Sequence, residues 1–354
     1  MRSPYLRLAY VEEVARVCPD VRVGVLEDGS GQLAFWPFQQ KKPGIARPVG
    51  EKIGCLHGVV CSEAWAHDGE EMVRAAGMRS WRFDHQIVSQ KSFSRFMFQR
   101  VPAPFMDLRG GFDAYCERRR DNGRGNKAIR KARAGQRKLE REQGAVRFEV
   151  DSRDPELLGR VIDWKRRQMR STGIGDLFRR SPWILEFTEN VLRRSEDEFR
   201  GMMSVLHAGG NPVSIFFGLR SGTVFHGLFF AYDPRYARYS PGRILLANLA
   251  RHGAKHGLER VELGKGNEPY KASFATGSTD VAVGSIDLQP VNALIWNSTH
   301  RLKRRIARSP FEGPLRSVKQ LANRLVDRGS GDGMPMRALK NSETKNPCCF
   351  WDGK

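Results

Sequence analysis

The residues best placed to do chemistry are Ser240, Pro241, Gly242 and Arg243, which form a turn directly ahead of an apolar run, Ile244 to Ala250. A turn that opens into a helix leaves N–H groups and the positive end of the helix dipole free to meet an anion. Pro241 fixes φ and lacks a donor that would otherwise be orphaned. Gly242 lets the backbone approach a ligand closely, and Arg243 adds a charge that can pair with phosphate. Upstream, Thr223 to Tyr232 predicts a strand that ends in the turn Asp233-Pro234. Downstream, Gly257 closes the helix and Arg260 to Leu263 predicts a short strand. Strand, turn, helix and strand in this order suit a diphosphate. The edge of the first strand near Phe229 to Tyr232 could bond the amides of an extended arm, and coenzyme A carries both groups. The run Gly264-Lys265-Gly266 lacks the spacing of a nucleotide P-loop.

Other elements must position that turn. Apolar spacing predicts a helix from Tyr5 to Val17, stopped by Pro19. A hairpin follows: Val21 to Leu26, a Gly-rich turn, and Gln32 to Phe38. Residues 44–61 look irregular. A short helix at Glu70–Ala76, a strand at Ser80–Val88 and a strand at Phe105–Leu108 complete a small α/β unit. Ile129, Ala132, Gln136 and Leu139 then place a narrow stripe under a dense Arg/Lys face, ended by Gly144. Strand Val146–Val150, helix Pro155–Met169, a loop, and a helix from Pro182 to about Arg194 come next. Three meandering strands follow, Met202–Ala208, Val213–Arg220 and Thr223–Tyr232, and Val281–Leu288 supplies one more.

The net charge of +21 is concentrated. Segments 117–142 and 301–328 each carry a surplus of seven positive charges, two-thirds of the total in two short stretches. They suit an anionic partner such as tRNA or a membrane surface. The six cysteines, Cys18, Cys55, Cys61, Cys116, Cys348 and Cys349, form no paired zinc spacing, and a disulfide framework is not expected in a chain of 354 residues. No apolar run approaches the ~20 residues of a membrane helix, and no signal peptide is evident. A cytoplasmic protein is expected, with a peripheral membrane contact through Trp296, Leu302 and Ile306 among clustered Arg.

The chain resembles the Gcn5-related N-acetyltransferase (GNAT) superfamily, and within it the BioF2-like group of the cellulose-biosynthesis CelD/BcsL type. The resemblance runs from Val21 to Leu288. It is carried by Trp36-Pro37-Phe38, Asp107-Leu108 with Gly111-Phe112 and Tyr115, and the Arg-rich helix before Gly144. It continues through Trp164-Lys165, Gln168, Thr172-Gly173, Asp176-Leu177-Phe178, Asn211-Pro212-Val213, Tyr232-Asp233 and Ser240-Pro241-Gly242. Leu245-Leu246, Gly266 and Tyr270-Lys271 complete it. Glu262 stands where the family more often has Asp, and by the resemblance the first domain is expected to lack its opening strand and helix. The group is related to the Fem aminoacyltransferases.

The resemblance implies an α/β (α+β) fold of tandem GNAT-like domains, each a mixed, mostly antiparallel sheet flanked by helices. The expected division is 1–111, a basic linking helix 112–145, an acyl-CoA-binding domain 146–292, a basic amphipathic tail 293–328 and a disordered tail 329–354. Acetyl-CoA or another acyl-CoA is the implied donor, with no metal. Phe230, Tyr232, Tyr239, Ser240, Pro241, Gly242, Arg243, Ile244 and Leu245 are the candidate donor contacts. Glu262, His226, Tyr270 and Lys271 are the candidates for proton acceptance or orientation. The expected reaction is direct acyl transfer to an amine acceptor, a small molecule or saccharide, in exopolysaccharide or envelope synthesis. Two alternatives stand beside it: a Fem-type aminoacyl transfer from tRNA held by the basic helix, and a non-enzymatic nucleic-acid or membrane-binding module.

Overall fold

The computed structural model describes residues 3–289, apart from positions 64, 174 and 267. The tail segments 293–328 and 329–354, with Cys348 and Cys349, lie outside the described residues. In chain order the elements are α1 (Leu8–Val17), β1 (Val21–Glu27), β2 (Leu33–Lys42), β3 (Ile45–Arg47), α2 (Gly69–Ala75), β4 (Ser80–Ile87), β5 (Met97–Asp107), α3 (Gly111–Asp121) and α4 (Lys127–Gln143). They continue with β6 (Val146–Ser152), α5 (Pro155–Thr172), α6 (Leu177–Arg180), α7 (Trp183–Arg193), β7 (Arg200–Ala208), β8 (Asn211–Ser221), β9 (Val224–Tyr232), α8 (Pro241–His252), β10 (Arg260–Glu262), α9 (Pro269–Phe274) and β11 (Gly277–Asp287).

The fold is mixed α/β, and its two halves share one sheet. The eleven strands run in the order β1-β2-β3-β4-β11-β5-β10-β9-β8-β7-β6. Most neighbours are antiparallel; β3–β4 and β9–β10 are parallel. The last strand, β11, does not stay beside the strands that precede it. It threads between β4 and β5, pairing Val281 with both Ile87 and Val101.

Three apolar clusters hold the layers. On one face of β7–β9, α5, α6 and α7 bury Leu158, Val161, Phe187 and Val191 against Met203, Ile215 and Phe229. The first helix joins this cluster: Tyr10 meets Phe187 and Phe199 edge-on, and Glu13 takes Arg194 at 2.7 Å. On the other face, α3, α4, α8 and α9 bury Tyr115, Leu139, Leu246 and Phe274. The third cluster, around Trp36, Trp81, Phe83 and Phe93, seats α2 on the first half of the sheet.

The sequence expectation for β5 was four residues, yet the strand spans eleven. Pro102 and Pro104 hide it, because proline cannot donate to a ladder. They are tolerated here because their carbonyls face the stretch after β10, accepting from Gly266 and Leu263. A residue's N–H and C=O point to the same side of a strand, so the missing donors also face that irregular stretch. The short elements β3, α6 and α9 lie where the sequence suggested no regular structure. The helix opened at Pro241 ends at His252 and passes through a 3-10 turn to Gly257, whose φ of 77° supplies the left-handed cap.

Candidate active site

The central feature is a split between two strands. β9 and β10 pair in parallel only from Val224 to His226, opposite Arg260 to Glu262. β9 then continues to Tyr232, while the chain after Glu262 turns to β5, bonding Pro104 and Pro102. The cause lies partly in β9 itself. Phe217 pairs with Phe229 but Gly218 pairs with Gly227, so Leu228 is an extra, bulged residue. A bulge bends and twists its strand, and this one sits just past the last β9–β10 pair. Among the described residues, no strand pairs with β9 beyond His226 on that side.

The turn that follows β9 closes one end of the split. Asp233 caps a 3-10 turn, Pro234–Tyr239, and holds Arg235 through Nε and Nη2. Ser240 follows in the left-handed region, φ 55° and ψ 56°, an uncommon conformation for a residue with a Cβ. Pro241 begins α8, and Ser240 offers it no side-chain cap. A Cβ on Gly242 would stand 3.1 Å from Cζ of Phe230, so glycine leaves that ring its place under the helix terminus. Phe230 also meets Tyr270 of α9 across the split, with ring centroids 6.0 Å apart.

The basic helix α4 braces this turn. Gly135 passes so close that a Cβ there would lie 2.8 Å from the carbonyl oxygen of Tyr239. Further along the same face, Glu142 accepts from the Tyr239 hydroxyl at 2.8 Å and pairs with Arg238 at 3.1 Å. The stripe expected under the basic face is present: Ile129, Ala132 and Leu139 are buried, and Gln136 bonds Asn248 at 2.9 Å.

The opposite wall is built from 264–271. Lys271 is fully buried; its ammonium donates to the Lys265 carbonyl at 2.8 Å and pairs with Glu268 at 3.0 Å. Lys265 in turn reaches the first half of the chain, donating to the Asp84 carbonyl at 2.9 Å with its ammonium 3.5 Å from Asp84 Oδ2. Asp84 Oδ1 also receives His57 Nε2 at 2.9 Å and His85 Nδ1 at 3.0 Å. His57, Asp84 and His85 are metal-ligand types gathered within 4.8 Å of one another, but Lys265 already brings a positive charge to this carboxylate.

Burial pushes the His85 imidazole down to about 4, against the pull of Asp84 and aided by Lys265. Burial works against the Asp84 carboxylate as well. The opposing charges and the imidazole donors win there and hold it well below the usual range. The folded state therefore binds the His85 proton less tightly than the unfolded chain, so stability is lost as pH falls from about 6.5 toward 4. One such histidine accounts for about 3 kcal/mol. Urea titrations across this range are expected to show that loss, and the His85→Gln variant a flatter profile. His207 and His252, also held low by burial, preserve part of the slope. A wild-type profile in His85→Gln would exclude His85 as the source.

The remaining candidates separate by location. Glu262 sits at the start of the split, its Oε1 2.6 Å from Arg260 Nε. His226, opposite it in register, is buried edge-on against Tyr5 at 4.9 Å. Ile244 and Leu245 are fully buried on the inner side of α8, where they anchor the helix. Tyr239 is buried except for the contacts above, and Tyr232 ends β9 half-buried. The structure adds Lys165 of α5, which was not among the candidates. Buried to 3% exposure, it bonds Gln168 at 3.0 Å and reaches the Phe230 carbonyl, on the split strand, at 3.5 Å. Its signal in the sequence was a charge at an apolar position of the α5 stripe, seven residues after Leu158. A separate cleft of about 640 Å³, lined by Phe148, Asn248 and His252, lies at the far end of α8.

A bulged strand, a parallel neighbour that splays from it, and a helix N-terminus thus meet at one end of the split. Residues 126–272, from α4 through α9, match the family model described as acetyltransferase (GNAT) domain. The protein thus carries a GNAT-type acetyltransferase domain and is an acyltransferase. Among solved structures, FemX is similar at 10% identity and a TM-score of 0.52, over 82% of this chain and 94% of that one. The C-terminal domain of a putative lysylphosphatidylglycerol synthetase from Agrobacterium fabrum is similar at 14% identity and a TM-score of 0.47, covering 82% and 90%. A tandem GNAT protein from the clavulanic acid biosynthesis pathway gives 11% identity and 0.44, covering 80% and 89%. At 10% identity the likeness to FemX describes the fold alone. No curated protein matches the sequence.

Proposed function

We propose that the protein is an N-acyltransferase that takes an acyl group, acetyl in the simplest case, from acyl-CoA and passes it directly to an amine. The observation that carries this is the split between β9 and β10 ending at the α8 terminus. The residues there fit the donor. Gly242 keeps the terminus open, and Arg243 Nε is buried without a hydrogen-bond partner among the described residues. Gly242 N–H and Arg243 would hold the pyrophosphate. The β9 edge near Phe230 would bond the arm like an added strand. The thioester supplies the acyl group. Glu262 is the carboxylate placed to accept the amine proton, directly or through water, once Arg260 releases it. Tyr270 and Lys271 form the facing wall. No metal is assigned a part.

The acceptor class is an amine on a small molecule or saccharide, and the BioF2-like resemblance favours a step in exopolysaccharide or envelope synthesis. A cytoplasmic location, peripheral at the inner membrane surface, suits that role; no helix of the described residues is long and apolar enough to cross a membrane. Fem-type transfer from aminoacyl-tRNA is the second reading, favoured by the basic α4 lying against the donor turn. A non-enzymatic nucleic-acid or membrane module would use the same charge with no need of the split.

A thermal-shift titration separates them. Acetyl-CoA at 100 times its Kd is expected to stabilise the protein by about 2.7 kcal/mol. No shift with acetyl-, malonyl- or long-chain acyl-CoA would sink the leading reading. Steeply salt-dependent tRNA binding in its place would favour the second.

A further inference from the structure

Three side chains of metal-ligand type converge in the first half of the chain, and the backbone fixes each of them. Asp84 and His85 are adjacent on β4. Neighbours on a regular strand point to opposite faces, but β4 is bulged at this place. Phe83 pairs with Gly284 and Gln86 with Ala282, so Asp84 and His85 together oppose the single residue Val283. A bulge re-aims side chains, and here His85 Nδ1 stands 3.0 Å from Asp84 Oδ1. His57 comes from the connection 48–68 between β3 and α2, which holds no helix or strand among the described residues. Its backbone is nonetheless held beside β4: its N–H donates to the His85 carbonyl at 2.8 Å, and its carbonyl accepts from the Ile87 N–H at 2.9 Å. So held, His57 brings Nε2 to 2.9 Å from the same Oδ1.

We propose that His57 Nε2, His85 Nδ1 and Asp84 Oδ1 bind a divalent transition-metal ion of the zinc kind, with water as the fourth ligand. This does not rest on the reading of the donor site, and the ion takes no part in acyl transfer. Two imidazole nitrogens and a carboxylate oxygen are a donor set that suits zinc. The spacing suits it as well. A tetrahedral ion with bonds of about 2.0–2.1 Å holds its donors roughly 3.4 Å apart. The two nitrogens lie 2.9 and 3.0 Å from Oδ1, and all three atoms fall within 4.8 Å of one another. The two rings are nearly perpendicular, at 82° with centroids 5.4 Å apart, so neither stacks on the other. Both imidazoles are buried, while the Asp84 side chain is 40% exposed and leaves a path for an ion and its water.

Lys265 brings its charge to the other carboxylate oxygen. Its ammonium bonds the Asp84 main-chain carbonyl at 2.9 Å and lies 3.5 Å from Oδ2, leaving Oδ1 to the imidazoles. Outer partners of this kind orient a ligating carboxylate. The ion thus fastens the connection that carries His57 to β4 and, through Asp84 and Lys265, to the wall at 264–271. Its role is structural.

The test is calorimetric titration of the tag-free, EDTA-stripped full-length protein with zinc chloride. Saturable one-to-one binding is expected, with a rise in melting temperature that EDTA reverses. Loss of an outer partner of a metal site costs up to about 100-fold in affinity, so His57→Gln and Asp84→Asn, which remove ligands, are expected to cost at least that. His67→Gln, a histidine outside the cluster, is expected to bind zinc as the wild type does. No binding by the wild type would overturn the proposal. So would wild-type affinity in both ligand variants, or an equal loss in His67→Gln.

X-ray absorption at the zinc edge of the wild type decides the matter even if the ligand variants misfold. Two imidazoles with oxygen neighbours are expected around the ion. A sulfur ligand, or fewer than two imidazoles, places the zinc elsewhere and overturns the assignment. In that case the two imidazoles do no more than donate their N–H groups to Asp84.

Discussion

Lys271→Met is expected to lower the melting temperature by about 10 °C and to weaken donor binding with it. The Lys271 ammonium is fully buried, and its partners are the Lys265 carbonyl and the Glu268 carboxylate, itself only 14% exposed. Removing one member of a buried pair leaves the other charge uncompensated, at a cost of about 3–5 kcal/mol. For a domain of this size each kcal/mol moves the midpoint by about 2–4 °C. Methionine fills much of the space, so the loss is electrostatic before it is steric. Lys271→Arg rescues poorly, because the larger guanidinium must fit a site with no spare room. Glu268→Gln added to Lys271→Met recovers part of the loss by removing the stranded charge. Calorimetry of the four proteins measures these terms. A Lys271→Met midpoint within 2 °C of wild type would show that the pair does not hold this wall. The effect also travels, because Lys265 is the link to Asp84 on β4.

The second large effect is expected at the α8 terminus. Gly242→Val should weaken acyl-CoA binding about 100-fold, near 2.7 kcal/mol, while the fold survives. Gly242 takes no left-handed φ, so a side chain there meets no backbone strain. Its Cβ, however, would press on Phe230, and the added methyls would stand where the proposed donor site has the N–H meet phosphate. Arg243→Ala should cost about tenfold, with the salt dependence of binding reduced. Calorimetric titration with acetyl-CoA gives both values, and circular dichroism checks the fold. Wild-type affinity in both variants would move the pyrophosphate site elsewhere.

The contrast between these two sites shows what the sequence made legible. Ser240 to Arg243 are contiguous, and proline, glycine and a following apolar run announce a helix start. Local chemistry was enough there, and the basic helix with its narrow stripe was readable for the same reason. The split itself was not readable. It depends on a bulge at Leu228 and on which strand β10 leans toward, both set by tertiary pairing. Lys165 stood in a piece of the family resemblance and as a charge in an apolar stripe, and neither gave it a role at the site. The His57–Asp84–His85–Lys265 group joins residues from three segments far apart in the chain, with no motif to mark it. Strand β5 was cut short in prediction because Pro102 and Pro104 break local strand preference, while their neighbours in space make them harmless.

The position of β11 bears on how the protein is made. When the ribosome has released residues 1–145, β4 and β5 have emerged, but the strand that lies between them is still more than a hundred residues from synthesis. The first half therefore waits with two open strand edges until Gly277–Asp287 arrives. Contacts this distant in sequence form slowly, and open edges on a nascent chain invite pairing with the wrong partner. Expression of the first 145 residues alone should give aggregates, and translation pauses before residue 277 should lower the soluble yield of the whole chain.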